Sequence, residues 1–88
     1  MPVRPVIVLT RHAIRRALER QLDLGWIAHV ANSPDWEEHD PQTGVTRCYG
    51  MIADAGGRVL RVAVIVEDGG AKRVLSAHFD RNAARRKS

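Results

Sequence analysis

The chain reads as an α+β domain in which two N-terminal helices pack on a four-stranded antiparallel sheet. Three observations predict this. Ala13, Ile14, Ala17, Leu18 and Leu22 recur at helical spacing, and no glycine or proline interrupts Thr10 to Leu24. Past Pro34 the pattern changes to short strand-like runs separated by turns rich in Gly, Pro and Asp. The run Val59-Leu60-Arg61-Val62-Ala63-Val64-Ile65-Val66 is almost wholly apolar, as expected of a central strand covered on both faces.

The elements follow in order. Val3 to Leu9 is a short strand or an extended arm, and Pro5 restricts it to an edge position if it is a strand. Thr10 is placed to cap the first helix, because its hydroxyl can accept from a free backbone N–H of the first turn. A second helix, about Leu24 to Ala31, starts at Asp23 and stops at Asn32-Ser33-Pro34, with Ile27, Val30 and Ala31 on its buried side and Trp26 over the seam between the helices. Asp35 to Asp40 is a polar edge strand, followed by a turn at Pro41-Gln42-Thr43-Gly44. Val45 to Ala53, Arg58 to Val66 and Lys72 to Phe79 complete the sheet, joined by turns at Gly56-Gly57 and Gly69-Gly70. Short turns imply an antiparallel meander. Residues 1–88 form one domain, with 81–88 a basic tail, either helical or disordered.

Period-two alternation assigns the faces. Leu60, Val62 and Val64, with Leu75, Ala77 and Phe79, are expected to face the helices. Arg47, Tyr49, Arg61, Ser76 and His78 then gather on the open face.

Charge is distributed unevenly. Residues 1–20 hold five arginines against Glu19, and residues 71–88 hold six cations against Asp80. Between them, residues 21–70 hold three arginines against eight carboxylates. If the fold brings the two basic ends together, one face attracts an anionic partner, either nucleic acid or an acidic protein. A chain of 88 residues buries only a modest core, so a leftover apolar patch would be covered by a partner or by a second copy in a homodimer. No apolar run is long enough to cross a bilayer, and Val6-Ile7-Val8-Leu9 is too short for the core of a signal peptide. A bacterial-type cytoplasm is the expected compartment, and no membrane partner is expected. The lone Cys48 can form neither an internal disulfide nor a zinc site by itself, and it reads as a small buried hydrophobe.

One motif carries chemistry. His12, Arg16 and Arg20 stand at i, i+4 and i+8, so on a helix they form one stripe. An imidazole beside two permanent guanidinium charges is a phosphate-handling surface. Structural readings compete with this one. His12 could bond a backbone carbonyl, Arg16 and Arg20 could pair with Glu19, Asp23 or Glu37-Glu38, and His78 could be a satisfied sheet residue.

The pattern Thr10-x-His12-Ala13-x-x-Arg16-x-x-x-Arg20 resembles the opening helix of a small bacterial domain family of unknown function. In that family a His-Ala-x-x-Arg-x-x-x-Arg helix precedes a second helix and a sheet. Asn32-Ser33-Pro34, Arg58-Val59-Leu60-Arg61-Val62 and Lys72-Arg73-Val74-Leu75-Ser76-Ala77 extend the likeness over nearly the whole chain. The pattern is also similar to BrnT-type toxins of the RelE-like superfamily, whose last strand reads Ile-Ser-Ala-Arg; here Leu75-Ser76-Ala77-His78 puts a histidine in the arginine's place. That resemblance implies a RelE/BrnT-like fold and a metal-independent endoribonuclease held by a cognate antitoxin.

Such an enzyme needs a base for the ribose 2′-hydroxyl, an acid for the leaving 5′-oxygen, and cations around the phosphorus. His12 and His78 are the acid–base candidates, and Tyr49 could stack on a base or donate a proton. Arg16, Arg20, Arg61, Arg47 and Arg73 are the candidate RNA-phosphate ligands. No cofactor is expected, and no cluster has the spacing of metal ligands. The rival functions are a non-catalytic module that binds an acidic protein and a nucleic-acid binder without chemistry.

Overall fold

The computed structural model describes residues 6–83. The elements run β1 (Ile7–Leu9), α1 (Arg11–Glu19), α2 (Leu24–Asn32), β2 (Trp36–His39), β3 (Val45–Ile52), β4 (Arg58–Val66) and β5 (Lys72–Phe79). The sheet order is β1-β5-β4-β3-β2. Strands β2 to β5 form the expected antiparallel meander, but β1 joins it parallel to β5, with Ile7 opposite Lys72 and Leu9 opposite Val74.

The sheet is therefore five-stranded and mixed, not four-stranded and antiparallel as expected. The reason is physical: antiparallel neighbours announce themselves through the short turn that joins them. A parallel partner lies at the far end of the chain with no local signature. Within the expected Val3–Leu9 segment, residues 3–5 lie outside the described residues, as do residues 84–88 of the tail.

Local chemistry sets both helices. The Thr10 hydroxyl accepts from the Ala13 N–H at 3.0 Å, and the Asp23 carboxylate accepts from the Gly25 N–H at 2.6 Å. At the end of α1 the Leu22 N–H reaches the Ala17 carbonyl and the Gln21 N–H reaches that of Leu18, with Gln21 in the left-handed region at φ 57°. This is a Schellman closure, and it leaves Arg20 as the C-cap of the helix beside β5. At the end of α2 the Lys72 ammonium donates to the Ala31 carbonyl at 2.9 Å, satisfying a carbonyl that the helix leaves free.

Ala13 and Ala17 of α1 and Ile27, Val30 and Ala31 of α2 are buried against Cys48, Ile52, Leu60, Val62, Val64, Val74 and Ala77 of the sheet. Gly50 permits the close approach of α2: a Cβ built there would stand 2.8 Å from Val30 Cγ2. Trp26 packs edge-on to Phe79 with ring centroids 6.1 Å apart. This contact places the Trp26 ring at the end of β5.

Two expectations about faces need correction. The ladder between β4 and β5 shifts between Ala63 and Val64, so Ser76 opposes Ala63 and Val74 opposes Val64. The extra residue is Leu75. Val74 therefore takes the helix-facing place expected of Leu75, while Ala77 and Phe79 keep theirs. The central strand β4 is buried along its helix side, whereas on its other side Val59 alone is buried, packed with Tyr49 and Ala83. Arg61, Ala63 and Ile65 on its other side are only half-buried.

Candidate functional site

The open face of the sheet presents one cross-strand row. Trp36 opposes Tyr49, Tyr49 opposes Arg61, and Arg61 opposes His78. The next row is Glu38, Arg47, Ala63 and Ser76. Register alone thus gathers Arg47, Tyr49, Arg61, Ser76 and His78 on one face.

The two ends of the first row differ. At one end Tyr49 is 1% exposed, stacks on Trp36 at 5.0 Å with planes 8° apart, and packs with Val59 and Ala83. Its hydroxyl donates to Glu38 Oε1 at 2.8 Å, and Arg47 Nε lies 3.6 Å from the same oxygen. A ring so enclosed offers no face to an incoming base, and its hydroxyl is already spent on Glu38. Tyr49 is a wall of the site.

At the other end, charge concentrates on His78. Arg20 projects from the C-cap of α1 and donates from Nη1 to the Ala77 carbonyl at 2.7 Å, along the edge of β5 that β1 leaves uncovered. Arg61 Nη1 lies 3.8 Å from Asp80 Oδ2. The half-buried imidazole therefore has guanidiniums from α1 and β4 as neighbours. Burial, then Arg61, then Arg20, push its pKa below the ordinary 6.5, and Asp80 opposes them.

The fold favours the neutral ring, so the unfolded chain binds more protons between the lowered value and 6.5. His78 contributes stability that is present above about pH 6.5 and lost as pH falls through its folded midpoint. We expect an NMR titration of the imidazole to give a midpoint below 6.5, and Arg61→Ala to move it upward. An unmoved midpoint would separate Arg61 from His78.

The other candidate phosphate ligands sort by partner. Arg73 is paired with Glu67, and that hydrogen bond raises the arginine's pKa and lowers the carboxyl's. Arg47 shares Glu38 with Tyr49. Arg20 meets a carbonyl and no described carboxylate, and the exposed Arg16 side chain has no hydrogen bond or ion pair among the described residues. His12 is also exposed. It stands eight residues from Arg20, about 12 Å back along the helix. The structure thus joins His78 to the Arg20 end of the stripe and leaves His12 on the outer turn.

Sequence reasoning missed Asp80, Glu38 and Trp36. Asp80 follows β5 two residues after His78, so it carries on that strand's open-face alternation. Glu38 and Trp36 become visible only through the β2–β3 register. Cys48 is buried, and burial, followed by Glu37, pushes its thiol up to about 11, so it stays protonated. The described residues hold no group of three or more His, Cys, Asp or Glu that could bind a metal ion, and no helix among them is long and apolar enough to cross a membrane.

The sequence matches the family described as "Domain of unknown function (DUF4258)" over residues 9–79. The chain belongs to the DUF4258 family. The matched span starts at Leu9 in β1 and ends at Phe79, the last residue of β5. It therefore includes Arg20, Arg61 and His78 of this DUF4258 domain and stops just short of Asp80. No curated protein and no solved structure matches the chain.

Proposed function

We propose that this DUF4258 protein is a toxin-like, metal-independent endoribonuclease that a cognate antitoxin holds inactive. The observation that carries the reading is the neutral-leaning His78 flanked by two arginines from separate elements, of which Arg20 has no described carboxylate partner. Support also comes from the likeness of the α1 motif and of Leu75-Ser76-Ala77 to BrnT/RelE-type toxins.

His78 accepts the proton of the ribose 2′-hydroxyl, and the 2′-oxygen attacks phosphorus. The bond from phosphorus to the 5′-oxygen breaks, that oxygen takes a proton from water on the open side of the sheet, and the proton on His78 passes to the hydroxide left behind, restoring the water and the neutral imidazole. Products are a 2′,3′-cyclic phosphate and a 5′-hydroxyl. Arg20 and Arg61 hold the non-bridging oxygens, where negative charge grows in the transition state. A lowered pKa keeps the imidazole in its proton-accepting form at neutral pH, at some cost in basicity.

The test is purified protein incubated with single-stranded RNA in excess chelator. Cleavage leaving cyclic-phosphate ends, suppressed by the co-expressed neighbouring small protein, is the expected result. Intact RNA after long incubation, with RNA binding present, would favour a binding protein without chemistry. Intact RNA without binding would favour a module for an acidic protein.

A further inference from the structure

The outer surface of α1 is left without internal partners. Arg11, His12, Arg15 and Arg16 are all exposed, and among the described residues none of their side chains makes a hydrogen bond or ion pair. Four cationic or titratable groups on one nine-residue helix, with Glu19 its only acid, are not there to balance the domain's own carboxylates. Their placement has a direction. Each step of four residues turns the side chain by about 40° around the helix. From His12 through Arg16 to Arg20 the stripe therefore winds toward the buried side marked by Ala13 and Ala17, and it ends where Arg20 touches β5 beside His78. Successive groups are about 6 Å apart along the axis, which suits consecutive phosphates of one strand.

We propose that α1 is a track for the backbone of a single-stranded RNA, leading along His12, Arg16 and Arg20 into the His78 site, with Arg15 on its flank. This rests on the ribonuclease reading above. The strand must be unpaired, because one phosphate has to dip to a half-buried imidazole while its neighbours stay on the helix surface. No Phe, Tyr or Trp lies on α1, so the helix grips the backbone rather than stacking the bases, whatever the sequence.

The experiment uses the full chain carrying His78→Ala, so that RNA stays uncut. Fluorescence anisotropy of a labelled dinucleotide and a labelled octanucleotide, over a range of salt, reads the track directly. The octanucleotide should bind more tightly than the dinucleotide by roughly 10-fold or more, because it reaches additional cations. Adding Arg15→Ala and Arg16→Ala should lower the slope of log Kd against log salt by about 1.4, near 0.7 for each phosphate deprived of its arginine, and should bring the octanucleotide close to the dinucleotide. Both side chains are exposed and alanine favours helix, so the variant keeps the fold.

Equal affinity for the two lengths, or an unchanged slope in the double variant, overturns the track. So does an octanucleotide held no better than polyglutamate of equal charge, which would assign the surface to an acidic polypeptide. Failure of the catalytic reading is separable: a wild-type chain that leaves RNA intact, with the slope change present, refutes the cleavage chemistry and not the track.

Discussion

Replacing His78 by alanine should slow RNA cleavage by about 10²–10⁴-fold, the usual loss when a positioned proton acceptor is removed. RNA binding should fall much less, because the cations that would hold the phosphate come from α1 and β4, not from β5. Arg61→Lys gives the complementary result. It keeps the charge and loses the planar fork that grips two oxygens at once, so the rate should fall while the salt dependence of binding hardly moves. The acidic limb of the rate profile should lie below pH 6.5, following the lowered pKa of the imidazole. Single-turnover cleavage of a labelled oligonucleotide by each variant is the measurement. A His78→Ala protein that cuts at the wild-type rate would remove histidine from the mechanism.

The largest expected loss of stability is at Leu60. Its side chain is fully buried in the middle strand, facing α2, with Gly50 on one neighbouring strand and Phe79 on the other. Leu60→Ala deletes buried methyl groups and leaves a cavity between two stiff layers, which costs about 2–5 kcal/mol. A domain of 88 residues has only about 4–13 kcal/mol of stability in total, so this single change takes a large share. Urea unfolding followed by circular dichroism should show a sharp fall in midpoint. A midpoint within a few tenths of a molar of wild type would mean that α2 does not seat on β4 as described. His78→Ala, half-exposed at the sheet surface, should move the midpoint far less at neutral pH.

Most of the architecture was legible because its causes are local. Thr10 and Asp23 start helices through side-chain bonds to nearby N–H groups, and both do so here. The Arg58–Val66 and Lys72–Phe79 strands could be bounded by the glycine pairs that precede them. Non-local causes were not legible. The pairing of Ile7–Leu9 with Lys72–Val74 joins opposite ends of the chain, and the bulge at Leu75 depends on fit against β4.

The candidate site divides the same way. Alternation was enough to place Arg61, Ser76 and His78 on one face. The stripe His12-Arg16-Arg20 was also legible, but which end of it meets the sheet was not, because that depends on how α1 docks. It docks with its C-terminus beside β5, so Arg20 bonds the Ala77 carbonyl next to His78 and His12 lies two turns away. The burial of Tyr49 was hidden too, since it needs Trp36 stacked from β2 and Ala83 packed from beyond β5.

Whether Arg20, Arg61 and His78 form one phosphate-binding site can be read by titrating isotopically labelled protein with a dinucleotide whose attacking 2′-hydroxyl is replaced by hydrogen, so that it binds and cannot react. Concerted, saturable shifts of the His78 imidazole and of the Arg20 and Arg61 side-chain N–H signals are expected, with one shared Kd that weakens as salt rises. Shifts confined to other surfaces, or three groups that respond with unrelated affinities, would contradict a shared site.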